Sequence, residues 1–541
     1  MKKTTTLLAA AMLVATPAIA AAPVVDAPAG SVEGKAVGKV RIFRGIPFAQ
    51  APVGPLRWKP PVALPAWQGV RKAQSFGAAC IQPRPTAIGI YTNPPAKASE
   101  DCLTLNIWAP EAAKDAPVIV WIHGGALTNG YSHEAMYDGA KLAARGAIIV
   151  SINYRLGALG YLAHPDLSKE SPDGVSGNYG LLDQIAALGW VKANIGAFGG
   201  DANNVTIAGE SAGALSVMYL MTAPKARGLF HKAIAQSAYM ISTPSLREAL
   251  HGEVPAETMG TKVAAALGAA DLAALRAMDA TALNDGALKA GYFPWGTVDG
   301  KVLPRQLVDS FDRGEQAPVP MIAGFNIGEI RSLRMLAPPA PASAAVYEAA
   351  IRERYGDLAD GWLKLYPAKD LNEAVIATTR DALYGWTSER LAVKQRALGQ
   401  NAYLYLFDHG YPATSEAGLH GFHAAEIPYV FGTATDTPPY WPKIPDTVAE
   451  KRFAAAMGDY WVSFAKTGKP EAAGQAVWRP YGQDAAFLAF ADIPRPGARL
   501  MPGMYALHEA AMCRRRAAGN LPWNWNTGIL SPVLAKGADC P

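Results

Sequence analysis

Short runs of consecutive apolar residues recur along the chain, each closed by turn-forming positions. They fall at 118–122, 148–152, 205–208, 233–236, 321–323 and 403–407. Runs of this length that do not alternate with polar residues predict strands covered on both faces. Helical spacing appears between them. Apolar positions repeat every three and four residues over 181–194, and again over 453–466, where Gly468 stands in position for a C-cap. Strands alternating with helices predict a large, mostly parallel sheet with helices on both faces. No internal repeat or low-complexity linker interrupts the pattern. The stretch LAPPAPASAA at 336–345 reads as a surface loop opening a helical insertion, so residues 21–541 are expected to form one α/β unit.

Composition narrows the class. The 541 residues are 50% hydrophobic and 18% charged, and the 52 Gly and 42 Pro follow no period. Intrinsic disorder and fibrous architectures are thereby excluded. The formal charge of +5 falls to about +3 if Lys2 and Lys3 are removed, too weak a bias to suggest nucleic acid or an anionic membrane as partner.

Removal of those lysines is expected. Lys2-Lys3, an apolar run at 7–15 and Ala18-Ile19-Ala20 have the order of a secretory signal peptide, with cleavage after Ala20. A buried N-terminal helix is the alternative. The apolar run is too short to span a bilayer, and no Cys follows the cleavage site to carry a lipid. The chain is therefore expected to be secreted or periplasmic. Four cysteines suit that setting, and pairing neighbours joins Cys80 to Cys102 and Cys513 to Cys540. Each bridge would contribute about 3 kcal/mol in the loop-entropy model. Four free thiols are the competing reading.

The chemistry concentrates at Gly209-Glu210-Ser211-Ala212-Gly213, between the strand at 205–208 and an apolar helix over 214–221. Gly-x-Ser-x-Gly between strand and helix describes a nucleophile elbow: the serine occupies a tight turn where side chains two residues away would collide. Upstream, the strand at 118–122 ends in His123-Gly124-Gly125-Ala126, a glycine turn whose backbone N–H groups can face an oxyanion. A base and an acid should follow the serine. His409, His420, His423 and His508 come late enough, and spacing alone does not choose among them. His420-x-x-His423 also admits a metal reading, without a third ligand at familiar spacing. For the acid, Glu329 follows the strand at 321–323, while Asp299 in Val298-Asp299-Gly300 reads more simply as a turn.

With these motifs in place the chain resembles the type-B carboxylesterase family, which includes the cholinesterases. The likeness runs from Phe43-Arg44-Gly45-Ile46-Pro47-Phe48 through Glu100-Asp101-Cys102, Asn153-Tyr154-Arg155 and Phe198-Gly199-Gly200-Asp201 to the elbow. It continues through Gly324-Phe325-Asn326 with Glu329, His423 with Glu426-Ile427-Pro428-Tyr429, and Trp461-Val462-Ser463-Phe464. The resemblance implies an α/β-hydrolase fold with helical insertions and a triad of Ser211 as nucleophile, His423 as base and Glu329 as acid. It implies oxyanion donors at Gly125, Ala126 and Ala212, supporting roles for Glu210 and Ser237, an Arg57–Glu100 ion pair and the Cys80–Cys102 bridge. Tyr292 and Trp295, with Phe293, stand near where relatives build acyl-pocket walls. Two departures are visible. The oxyanion turn ends in Ala126 where many relatives have Gly, so the donor is retained if that residue keeps a negative φ, and Ile330 follows the acid where Gly is usual.

The activity so implied is hydrolysis of a small-molecule carboxylic ester through an acyl-enzyme, with no metal or cofactor required. The same triad acting on an amide, carbamate or lactone is the alternative. A binding protein is a third reading, since the family includes adhesion members without the serine, and it is opposed by the presence of Ser211, Glu329 and His423 together. Oligomeric state is left open.

Overall fold

The computed structural model describes residues 22–536 and Cys540, apart from Thr86 and Asn524, so the expected leader lies outside the described residues. One 11-stranded sheet runs through it. Numbered within that sheet alone, the strands are β1 (Lys35–Val37), β2 (Val40–Pro47), β3 (Thr104–Pro110), β4 (Ala116–Ile122), β5 (Ile148–Ile152) and β6 (Gly200–Glu210). They continue as β7 (Lys232–Gln236), β8 (Met321–Asn326), β9 (Ala402–Phe407), β10 (Ala486–Phe490) and β11 (Pro494–Ala498). Their spatial order is β11-β10-β9-β8-β7-β6-β4-β5-β3-β2-β1. From β5 across to β10 every pairing is parallel, and the strands outside that block join antiparallel. This is the large, mostly parallel sheet that the alternation predicts and the α/β-hydrolase architecture that the resemblance implies, with an antiparallel margin at each end.

The central strands show why their runs do not alternate. All seven residues of β4 are buried, because the pleat sends Val118, Val120 and Ile122 into one core and Ile119 and Trp121 into the other. On the first side lie α1 (Tyr179–Asn194), α2 (Ala212–Thr222) and α3 (Trp386–Ala397). On the second, α4 (Val448–Thr467) packs Phe453, Met457, Tyr460, Trp461 and Phe464 against the sheet. Thr447 caps its start by accepting from Glu450 N–H, and Gly468 ends it at φ +78°, the C-cap read from the sequence. The Pro-rich loop opens the helix Ala344–Tyr355, as anticipated, and further helices lead to α3.

Both cysteine pairs are disulfides, Cys80–Cys102 and Cys513–Cys540. Beside the first, Arg57 meets Glu100 through two charge-assisted bonds of 2.7 and 2.6 Å. Among the described residues no helix is long and apolar enough to cross a membrane.

A second ion pair ties the segment after β5 to α1. Arg155 bonds Asp183 through Nε and a terminal nitrogen at 2.8 and 2.7 Å, and its backbone N–H donates to the same carboxylate at 3.0 Å. The Asp183 side chain is 0% exposed, so removing it strands a buried guanidinium. Asp183→Ala should cost about 3–5 kcal/mol, read as a lowered urea midpoint by tryptophan fluorescence.

Candidate active site

Four parallel strands deliver their carboxyl ends to one place. β4 leads into the turn 123–126, β6 into Ser211, β8 into Glu329, and the loop after β9 carries His423. Ser211 sits at φ +55°, ψ −120°, a strained conformation held between β6 and α2. The close approach explains the flanking glycines: a Cβ on Gly213 would stand 2.1 Å from Ile122 O, and one on Gly209 would stand 2.5 Å from the carbonyl carbon of Gly213. Gly124 is equally confined, since its Cβ would meet Glu210 O at 2.9 Å. The Ser211 N–H donates to Gln236 O at 2.9 Å and fastens the elbow to β7.

The imidazole of His423 lies between carboxyl groups. Nδ1 hydrogen-bonds Glu329 Oε2, and Nε2 lies 3.1 Å from Oε1 of Glu210, the residue preceding Ser211. Glu329 is fully buried at the start of the short helix Glu329–Ser332, and its Oε1 accepts from Asn326 N–H at 2.8 Å. Burial alone would lower the imidazole, but the charges of Glu210, Glu329 and Glu426 and the bond to Glu329 outweigh it and raise it to about 9. Burial and the acids around it in turn lift the Glu210 carboxyl to about 8, against the opposing charge of His423.

A network that sequence reasoning left unassigned supports these groups. Trp461 Nε1 donates to Gln236 Oε1 at 3.0 Å, and Gln236 Nε2 donates to Glu426 at 2.8 Å. Asn326 Nδ2 reaches both Glu426 at 2.6 Å and Phe422 O at 2.7 Å. Tyr91, inside the Cys80–Cys102 loop, donates to His423 O at 2.8 Å and contacts the Ser332 hydroxyl at 2.7 Å. Asn326, Glu426 and Trp461 all belong to the motifs that carry the resemblance, which is the signal that could have found them.

The other histidines go elsewhere. His409 meets Glu450 at 3.1 Å, His508 meets Tyr366 at 2.8 Å, and His420 turns to Asp408 at 2.8 Å, so His420 and His423 do not converge. Asp299 closes a turn by accepting from the N–H groups of Lys301, Val302 and Leu303.

Ser211, Glu210, His423 and the turn 124–126 open on a cavity of about 790 Å³ walled largely by aromatic rings, Trp295 among them. Three expectations require correction. Tyr292 does not reach this cavity; it packs with Trp58 and Leu159 in a separate core, and its neighbour Phe293 lines the wall instead. Ser237 is fully buried, and among the described residues its hydroxyl makes no hydrogen bond. Its backbone N–H, bonded to Gly324 O at 2.8 Å, is what ties β7 to β8 there. Ala126 does not keep a negative φ: it stands at +54°, between Gly125 at +103° and Leu127 at +56°. Thr128 and Asn129 N–H both donate to Gly125 O at 3.0 Å and hold the turn in this form. Among the described residues, the N–H groups of Gly125, Ala126 and Ala212 have no acceptor. Ile330, by contrast, is an ordinary buried helical residue.

The model of the carboxylesterase family matches residues 21–499. The chain belongs to the carboxylesterase family. It is a carboxylic ester hydrolase. Fumonisin B1 esterase of Sphingopyxis macrogoltabida is 36% identical over 487 residues, covering 85% of each chain. Para-nitrobenzyl esterase of Bacillus subtilis is 34% identical over 465 residues, covering 84% of this chain and 92% of that one. Among solved structures, a PNB esterase superposes with a TM-score of 0.77 at 31% identity, covering 90% of this chain and 99% of the other.

The left-handed alanine in a carboxylesterase turn gives a direct test. Ala126→Gly should leave the thermal midpoint unchanged or higher, because glycine adopts this φ freely. Ala126→Val should lower stability by on the order of 2 kcal/mol, because a β-branched residue there is a true outlier.

Proposed function

We propose that the mature chain from residue 21 is exported and works as a single α/β-hydrolase unit that cleaves small-molecule esters through an acyl-enzyme. The single observation that carries the mechanism is the convergence of Ser211, His423 and Glu329 at the carboxyl edge of the sheet. His423 takes the Ser211 proton through Nε2 as the hydroxyl attacks the ester carbonyl. Glu329 fixes the imidazole by its Nδ1 and stabilises the charged form. The unspent N–H groups of Gly125, Ala126 and Ala212 receive the oxyanion, and the loss of one such donor costs roughly 3 kcal/mol of barrier. His423 then protonates the leaving alcohol, water attacks the acyl-enzyme, and the serine is released. Relatives bearing the name esterase, and the PNB esterase structures, support the ester as the bond attacked. Two disulfides support a destination outside the reducing cytosol.

Purified residues 21–541 should hydrolyse p-nitrophenyl esters, and Ser211→Ala should reduce kcat/KM by at least about a thousandfold. Equal rates in both proteins would remove Ser211 from the mechanism. His423 is active as a base only when neutral, so kcat/KM should rise with pH through its raised pKa. Glu210→Gln removes a negative charge 3.1 Å from Nε2, so that acid limb should move to lower pH, by on the order of one unit. An unmoved limb would mean that Glu210 does not set the imidazole's proton affinity.

A further inference from the structure

One acid in the cavity wall has no part in the chemistry above. Glu134 lies half-buried between the turn 123–126 and the short helix Ala135–Tyr137, and it lines the same cavity as Ser211. Apart from tyrosines, the ionisable groups lining that cavity are Glu134, Glu210 and His423, with no lysine or arginine among them. His423 is already engaged by Glu329 and Glu210, so Glu134 is left without a cation, and its partner is the neutral side-chain amide of Asn93. A carboxyl placed in a wall as a structural ion-pair partner would have a basic neighbour within the fold, and among the described residues this one forms no ion pair.

The surroundings favour a cation from outside. Tyr137, Tyr91 and Trp441 share the wall, and aromatic faces attract ammonium groups when water is excluded. Glu134 is also among the acids whose proximity raises Glu210, so both acids of this wall are close enough to feel one another beside Ser211. We infer that Glu134 makes this cavity selective for esters whose acyl or alcohol part carries a protonated amine. Burial supports the inference by lifting the Glu134 carboxyl to about 8, and an ammonium in contact would supply the counter-charge that the cavity lining withholds. The inference rests on the ester-hydrolase reading and names its substrate class.

The test compares isosteric pairs that differ by N–H⁺ against C–H. Dimethylaminoethyl butanoate is set against isopentyl butanoate for the alcohol side. For the acyl side, the p-nitrophenyl ester of an ω-dimethylamino acid is set against that of its branched-carbon isostere. In at least one pair, wild type at neutral pH should favour the amine by roughly tenfold in kcat/KM, the scale of one charge-assisted contact. Glu134→Gln, which keeps the hydrogen bond to Asn93 but not the charge, should bring that ratio to about one, and Glu134→Ala should do the same. A ratio taken on one preparation is insensitive to any misfolded fraction. An amine preference absent from both pairs in wild type, or unchanged in both variants, overturns the inference. If neutral p-nitrophenyl esters are still cleaved through Ser211 in that case, the esterase reading survives alone. If no ester is cleaved by wild type, both fall together.

Discussion

Glu210, Glu329 and Glu426 are buried around one imidazole, and the arrangement of the site follows from keeping them there. Three carboxyls in an apolar interior would each favour the neutral acid, and Glu210 and Glu426 are indeed raised by burial. The fold divides the load. Glu426 is held by two amides, Gln236 and Asn326, that donate and carry no charge. Glu329 takes a backbone N–H on one oxygen and His423 on the other. Glu210 is the member whose Oε1 forms no hydrogen bond of good geometry, and it faces Nε2. Nε2 therefore faces the acid with the unbonded oxygen, while Nδ1 faces one whose other oxygen is already held by a backbone N–H. Such an asymmetry suits the role proposed for His423, whose imidazole would change charge without turning over.

The second constraint is steric. The elbow needs backbone to approach backbone within ordinary Cβ distance at Gly209, Gly213 and Gly124 at once, and each close approach involves β4 or β6. Those two strands are neighbours in the sheet, and their register sets Gly209 against Ile122. The turn 123–126 and Ser211 are thus positioned by one strand pairing, so their separation cannot drift independently. Around them stands the wall: Phe293 and Trp295 come from the segment before Val298, and Met335 and Leu336 from the short helical turn that precedes the helical insertion.

Much of this frame was legible in the chain, and the failures are instructive. Runs without alternation marked β4, β5, β7, β8 and β9 to within two or three residues, because strands buried on both faces carry no competing pattern. β6 begins five residues before its predicted start, since Asp201 and Asn203-Asn204 break the apolar run at the register shift between Gly200 and Val205. β3 escaped detection because Asn106 lies buried within it, satisfied by Ser132, Ser151 and the Gly45 N–H. Spacing leaves four histidines open; the resemblance points to His423, and the three-dimensional neighbours separate it, against Glu329, from His420, against Asp408. Tyr292 and Phe293 are adjacent in sequence yet face different compartments, a choice made by tertiary packing that one-dimensional position does not encode. Ser237 matched a familiar position, but a match says nothing about where a hydroxyl points.

Backbone strain gives a final measure of how the site is held. Ser211, Ser237, Ala126, Leu127 and Ala424 all carry side chains at positive φ; the first four follow the ends of β4, β6 and β7, and Ala424 stands beside His423 in the loop after β9. Each such residue costs of order 1–3 kcal/mol and persists only where its surroundings leave no alternative. Here the surroundings are unusually confining. All eleven residues of α2 are buried, as are all seven of β4, and the Ser211 and Ser237 N–H groups are bonded to the neighbouring strands. Relaxing the elbow would require α2 to lift from the core it fills, at a cost far above the local strain. Ala126 fits the same logic: its left-handed backbone is imposed from outside the turn, so the N–H proposed to meet the oxyanion does not depend on glycine's freedom, only on a frame rigid enough to forbid relaxation.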